Sequence, residues 1–139
     1  GLTGHTCRPH RAPPSTLDRV ATYRGAVAQT TYFSSSGGRT ESRFLGGPRV
    51  PYLESVKDPY DRYSPLHRWR TRFKQSEIDS ELGGLVDGSL RKIRAKRSSE
   101  SPRIDSAKLI GTGGTTTVRG DELASALGLY SRWAYFKRR

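Results

Sequence analysis

Residues 32–61 read YFSSSGGRTESRFLGGPRVPYLESVKDPYD. An apolar strand end, Tyr32-Phe33, runs into a serine–glycine turn and then into two proline-containing turns. Gly37 and Gly38 permit positive backbone dihedrals that other residues resist. Gly46-Gly47-Pro48 and Pro51 forbid a long helix and leave room for at most one helical turn over residues 40–44. Asp58-Pro59-Tyr60-Asp61 is a turn signature, with proline presetting one dihedral and aspartates able to bond nearby amides. So many special backbone residues in one order predict a shaped loop.

Outward from this stretch, short elements follow on both sides. Upstream, residues 19–34 read as a hairpin turning at Arg24-Gly25. Downstream, His67, Trp69, Thr71 and Phe73 alternate with Arg68, Arg70, Arg72 and Lys74, which predicts a strand with one buried and one cationic face. Ser76 and Asp79 mark a helix start and Gly83-Gly84 a stop, giving a short helix over 77–82. Residues 90–97, 104–110 and 115–119 read as three strands, with a plain hairpin turn at Gly111-Thr112-Gly113-Gly114. A final amphipathic helix spans 121–127, and the aromatic segment 130–136 packs back. The fold class is α+β, an antiparallel sheet with short helices.

The 139 residues suit one domain. Residues 1–17 form an extended basic tail, 18–136 the domain, and 137–139 a basic end. Leu, Ile, Val and Phe together are about a fifth of the chain, near the level at which a highly charged chain stays disordered. A small core, or part of a larger fold, is the consequence. The net charge of +12 points to an anionic partner (nucleic acid, anionic lipid or an acidic wall polymer) or to a solvated basic surface. A single cysteine excludes an intrachain disulfide. No apolar run reaches the length of a membrane helix. The chain has no methionine, so it is expected to be a processed product or a fragment.

Five constellations could carry chemistry. His5, Cys7 and His10 are candidate zinc ligands, without the spacing of a zinc finger. Ser34, Ser35 and Ser36 lack the pattern of a nucleophile elbow, and His67 on a buried strand face reads as structural. Glu41, Glu54, Asp58 and Asp61 could supply the paired carboxylates of glycosidic cleavage, or could merely cap turns. The 111–114 glycine run lacks a phosphate-loop lysine and precedes a strand. The cationic row 68–74 could track a polyanion; Trp69 and Phe73, on its opposite face, are not expected to stack bases beside it.

Several segments, in order, resemble the stage II sporulation protein D family, which includes the amidase-enhancer LytB proteins. They are Tyr32-Phe33-Ser34-Ser35-Ser36-Gly37-Gly38-Arg39-Thr40-Glu41-Ser42, Pro51-Tyr52-Leu53, Asp58-Pro59-Tyr60-Asp61 and His67-Arg68-Trp69. Val118-Arg119-Gly120-Asp121-Glu122-Leu123 and Leu127-Gly128-Leu129-Tyr130-Ser131 complete the match, which spans residues 20–136. The resemblance implies a bacterial, extracytoplasmic protein of the cell wall or the outer face of the membrane. Its implied partner is peptidoglycan glycan stripped of stem peptides, and nucleic acid is disfavoured. Enzymes of the family are lytic transglycosylases in which one glutamate protonates the glycosidic oxygen. That glutamate lies in a Glu-Met-Pro segment not found here, so no residue is assigned as catalytic and the chain alone is expected to be inactive. The resemblance places Ser35, Ser36, Gly37, Gly38, Arg39, Thr40 and Glu41 along the glycan cleft. Some members bind zinc through a His/Cys cluster near the place of His5, Cys7 and His10. The alternative is a non-enzymatic basic module for a polyanion.

Overall fold

The computed structural model describes residues 18–44 and 47–138. The chain divides into two compact units, one ending at Thr31 and one running from Tyr32. The described part of the first is a minimal hairpin, β1 (Thr22–Tyr23) and β2 (Ala26–Val27). Arg24 and Gly25 both have positive φ, 51° and 81°, as a two-residue hairpin turn requires. The hairpin expected over 19–34 is shorter than its sequence suggests. Val20 and Val27 are exposed, and two strands without a buried face do not propagate.

In the second unit, β3 (Leu90–Arg97), β4 (Ile104–Gly111) and β5 (Thr115–Arg119) form an antiparallel meander in that order. Alternation dictates its faces. Ile104, Ala107 and Leu109 of β4 are buried, as is Val118 of β5. A register shift between Leu90 and Lys92 resets the phase of β3. Ile93, Ala95 and Arg97 then turn inward and Lys92, Arg94 and Lys96 outward. The helices α1 (Gln75–Glu81) and α2 (Gly120–Ala126) complete an α+β fold. Leu82, Val86, Leu123, Leu127 and Ala134 close the core against the sheet. Among the described residues no helix is long and apolar enough to cross a membrane.

Three expectations need correction. Residues 67–74 are not a strand. Trp69 and Phe73 pack against the core while the arginines stay exposed, so the alternation reflects burial rather than pairing. Residues 40–44 make no helical turn. Isolated bridges, Arg39 to Lys57 and Arg43 to Arg49, tie them instead to the returning chain. Helix α1 starts before Ser76, because Glu77 accepts from the Lys74 amide (2.8 Å) and sets the first turn there. The Asp79 carboxylate, free of capping, takes the Leu90 amide at 2.7 Å and joins α1 to β3.

Candidate functional site

A cleft of about 1710 Å³ opens on the second unit. The loop residues Ser34, Ser35 and Gly37 form one wall, and residues 66–73 and the start of β3 form another. Residues 129–138 close it. Cations and aromatic rings share this space. Trp69 and Phe73 contribute to its lining while packing against the core, and Arg68, Arg70 and Arg72 contribute while remaining exposed.

The loop wall is held by carboxylates. Asp58 does the local capping: its Oδ1 accepts from the amides of Tyr60 (3.1 Å) and Asp61 (3.2 Å), starting the 3-10 turn Pro59–Tyr63. Its Oδ2 accepts from Ser36 Oγ at 2.8 Å. Asp61, only 5% exposed, reaches back across the chain. Its Oδ1 accepts from Ser35 Oγ (2.8 Å) and the Ser36 amide (2.5 Å), and its Oδ2 lies 2.5 Å from His67 Nδ1. Burial alone would raise the Asp61 carboxyl. Hydrogen bonds from His67, Ser35, Gly37 and Ser36 overcome that and hold it at about 2, against an ordinary 3.8.

Serine, aspartate and histidine thus meet, yet not in the order of a hydrolytic triad. Serine and histidine both bond the one carboxylate, so the imidazole is not the base of the hydroxyl. Asp61 instead fixes the imidazole ring at the cleft edge.

A second set of carboxylates clasps the loop to the β3–β4 hairpin. Glu100 accepts from the Ser42 amide (3.2 Å) and hydroxyl, and these hold its carboxyl below the ordinary range. Glu41 pairs with Arg132 and accepts from Ser101 Oγ at 2.7 Å. Arg103 donates to the carbonyls of Arg39 (2.8 Å) and Ser36. Gly37, at φ 71°, lies under Trp133, where an added Cβ would sit 2.9 Å from the ring.

Of the residues expected along a glycan cleft, Ser35 and Gly37 line it. Ser36 is buried, and Glu41 is engaged by Arg132 and Ser101. Arg39 Nε donates to the Glu100 carbonyl (2.9 Å). Thr40 Oγ1 accepts from the Val56 amide (2.9 Å) and donates to the Glu54 carbonyl (3.2 Å). The Gly38 carbonyl accepts from the Asp58 amide at 2.9 Å. These five shape the wall rather than face the cleft. His5, Cys7 and His10 lie outside the described residues.

Sequence reasoning missed Glu100, Arg103 and Arg132 as anchors of the wall. Nothing local marks them: residues 98–103 read as an ordinary hairpin loop. It also gave Asp61 a local capping role, which Asp58 fills.

The Asp61 network predicts acid sensitivity. Its folded pKa lies below the unfolded value, so its contribution is present above pH 3.8 and is lost as pH falls toward 2. The shift is worth about 2 kcal/mol. Asp61→Asn is expected to flatten the loss of thermal stability over that window. An unchanged acid limb in a melting-temperature series against pH would refute this assignment.

No family model matches the chain. Among curated proteins, the stage II sporulation protein D of Bacillus subtilis (strain 168) is 32% identical over 128 residues, covering 91% of this chain and 36% of that protein. The stage II sporulation protein D of Bacillus amyloliquefaciens is 27% identical over 128 residues, with the same coverage. The chain spans about a third of the length of these relatives.

Proposed function

We propose, from the premise that this chain is related to the stage II sporulation protein D family, that its cleft holds a peptidoglycan glycan strand stripped of stem peptides. The observation that carries the reading is a long cleft in which aromatic rings stand beside polar and cationic groups. Tyr130 is 67% exposed and offers an open ring face to a sugar. Trp69 meets it edge to face at 5.8 Å and braces it. His67, with Nδ1 bound to Asp61, lines the cleft together with Ser35 and can bond sugar hydroxyls.

The role assigned to these residues is binding and positioning. Among the described residues no Asp or Glu lines the cleft, Asp61 is ionised at neutral pH, and Glu41 is paired with Arg132. Protonation of a glycosidic oxygen is therefore assigned to none of the described carboxylates. The reading carries with it an extracytoplasmic location at the cell wall.

Retention on amidase-stripped peptidoglycan is the test. Tyr130→Ala is expected to weaken binding about three- to tenfold, the worth of one ring contact. Tyr60→Ala removes an equally exposed ring away from the cleft and is expected to change nothing. Failure of the chain to be retained, or equal effects of the two variants, would count against the cleft.

The cationic lining favours a second reading, a module for a polyanion such as nucleic acid or an anionic wall polymer. Its binding would fall steeply and linearly on a logarithmic salt scale, and contacts to neutral sugars would not.

A further inference from the structure

The cleft wall carries Arg68, Arg70, Arg72, Arg91, Lys92 and Arg138. Arg68, Arg70, Arg72, Arg91 and Lys92 are exposed, and none forms an ion pair with a described residue. The arginine ion pairs of this unit lie elsewhere, joining Arg132 to Glu41, Arg119 to Asp121, and Arg43 to Asp105 at 3.9 Å. A one-signed wall flanked by apolar rings focuses its field into the cleft.

We propose that this unpaired cationic wall reads the lactyl carboxylates of a stripped glycan strand. The inference rests on the glycan reading above. On a strand that carries stem peptides, each lactyl group is an amide, neutral at that point. Hydrolysis of the amide by water leaves a carboxylate on the sugar and an amine on the departing peptide. The same backbone thereby gains a regular series of anions. A guanidinium matches a carboxylate with two parallel hydrogen bonds and discriminates it from an amide. Selectivity for stripped strands then comes from charge at the wall as well as from room for a peptide.

Trp133 covers Gly37 and Trp69 stands against Tyr130, so neither indole is a free stacking platform. The open ring of Tyr130 suits a sugar or a base, and the oligothymidylate probe below separates the two.

The test titrates the 139-residue chain with three probes at low salt. These are amidase-stripped glycan strands, the same strands with lactyl carboxylates capped as methylamides, and single-stranded oligothymidylate. Capping is expected to weaken binding about tenfold, the sum of two or three exposed charge contacts. Arg70→Gln with Arg72→Gln is expected to bring stripped strands down to the capped level and to remove the response to capping. Arg94→Gln, on β3 but outside the cleft, is expected to leave both unchanged. Equal binding of stripped and capped strands overturns this inference and leaves the glycan reading standing. Binding of oligothymidylate with neither strand bound overturns both.

Discussion

Replacing Arg132 with methionine is expected to lower the melting temperature of the second unit by more than any single change in the cleft. Arg132 and Glu41 are both nearly enclosed, with side chains 11% and 8% exposed. Removing the guanidinium leaves the carboxylate with the hydrogen bond from Ser101 Oγ and the field of Arg103, and takes away its direct ion pair. Breaking one side of a buried pair costs about 3–5 kcal/mol, chiefly because the surviving charge is uncompensated. Arg132 Nη1 also donates to the Ile104 carbonyl at 3.0 Å, and that bond is lost as well. In a domain of this size the loss corresponds to roughly 15 °C or more. The double variant Glu41→Met with Arg132→Met is expected to recover much of it, since no unpaired charge is left. Melting followed by circular dichroism checks both. A single variant that melts like the parent would show that the pair does not hold the loop.

Gly120→Ala is the second large effect, and its sign opposes helix propensity. Alanine within a helix is favoured over glycine by about 1 kcal/mol, and Gly120 opens α2. A Cβ there, however, would sit 1.9 Å from the Ile104 carbonyl oxygen and 2.7 Å from its carbon. Both are backbone atoms at the start of β4 and cannot swing aside as a side chain would. Helix and strand must part at the centre of the core, next to Leu123 and Ile104, which are almost fully buried. A net loss of about 3 kcal/mol is expected from such overpacking. Gly84→Ala meets nothing within 4 Å and is expected to stay close to the parent in the same melt. If the two alanine variants behave alike, the β4–α2 approach is looser than described.

These two sites differ in how far the sequence betrays them. The meander was legible in part, because Ala107 and Leu109 alternate with their neighbours and alternation is a local signal. Ile104 is out of that phase, across the register shift at Lys96 and Arg97. The 3-10 turn was legible because Asp58 caps amides two and three residues on. Residues 67–74 misled for a definite reason: a period of two reports which side chains are buried and is silent about whether the backbone has a partner. The pairing of Glu41 with Arg132 spans 91 positions, and neither residue carries a pattern that points to the other. The candidate site was legible in outline, through the serine–glycine turn. The inward commitment of Ser36, Thr40 and Glu41 depends on partners that only the folded chain brings near.

The clasp of Glu100 and Arg132 on the loop also orders the events of folding. The bonds from Ser42 to Glu100 and from Ser101 to Glu41 join residues 58 and 60 apart, while β3, β4 and β5 meet through short hairpins. Contacts across long separations must offset loop closure before they gain anything. The meander is therefore the early scaffold, and the cleft acquires its wall only when a finished hairpin is there to receive it.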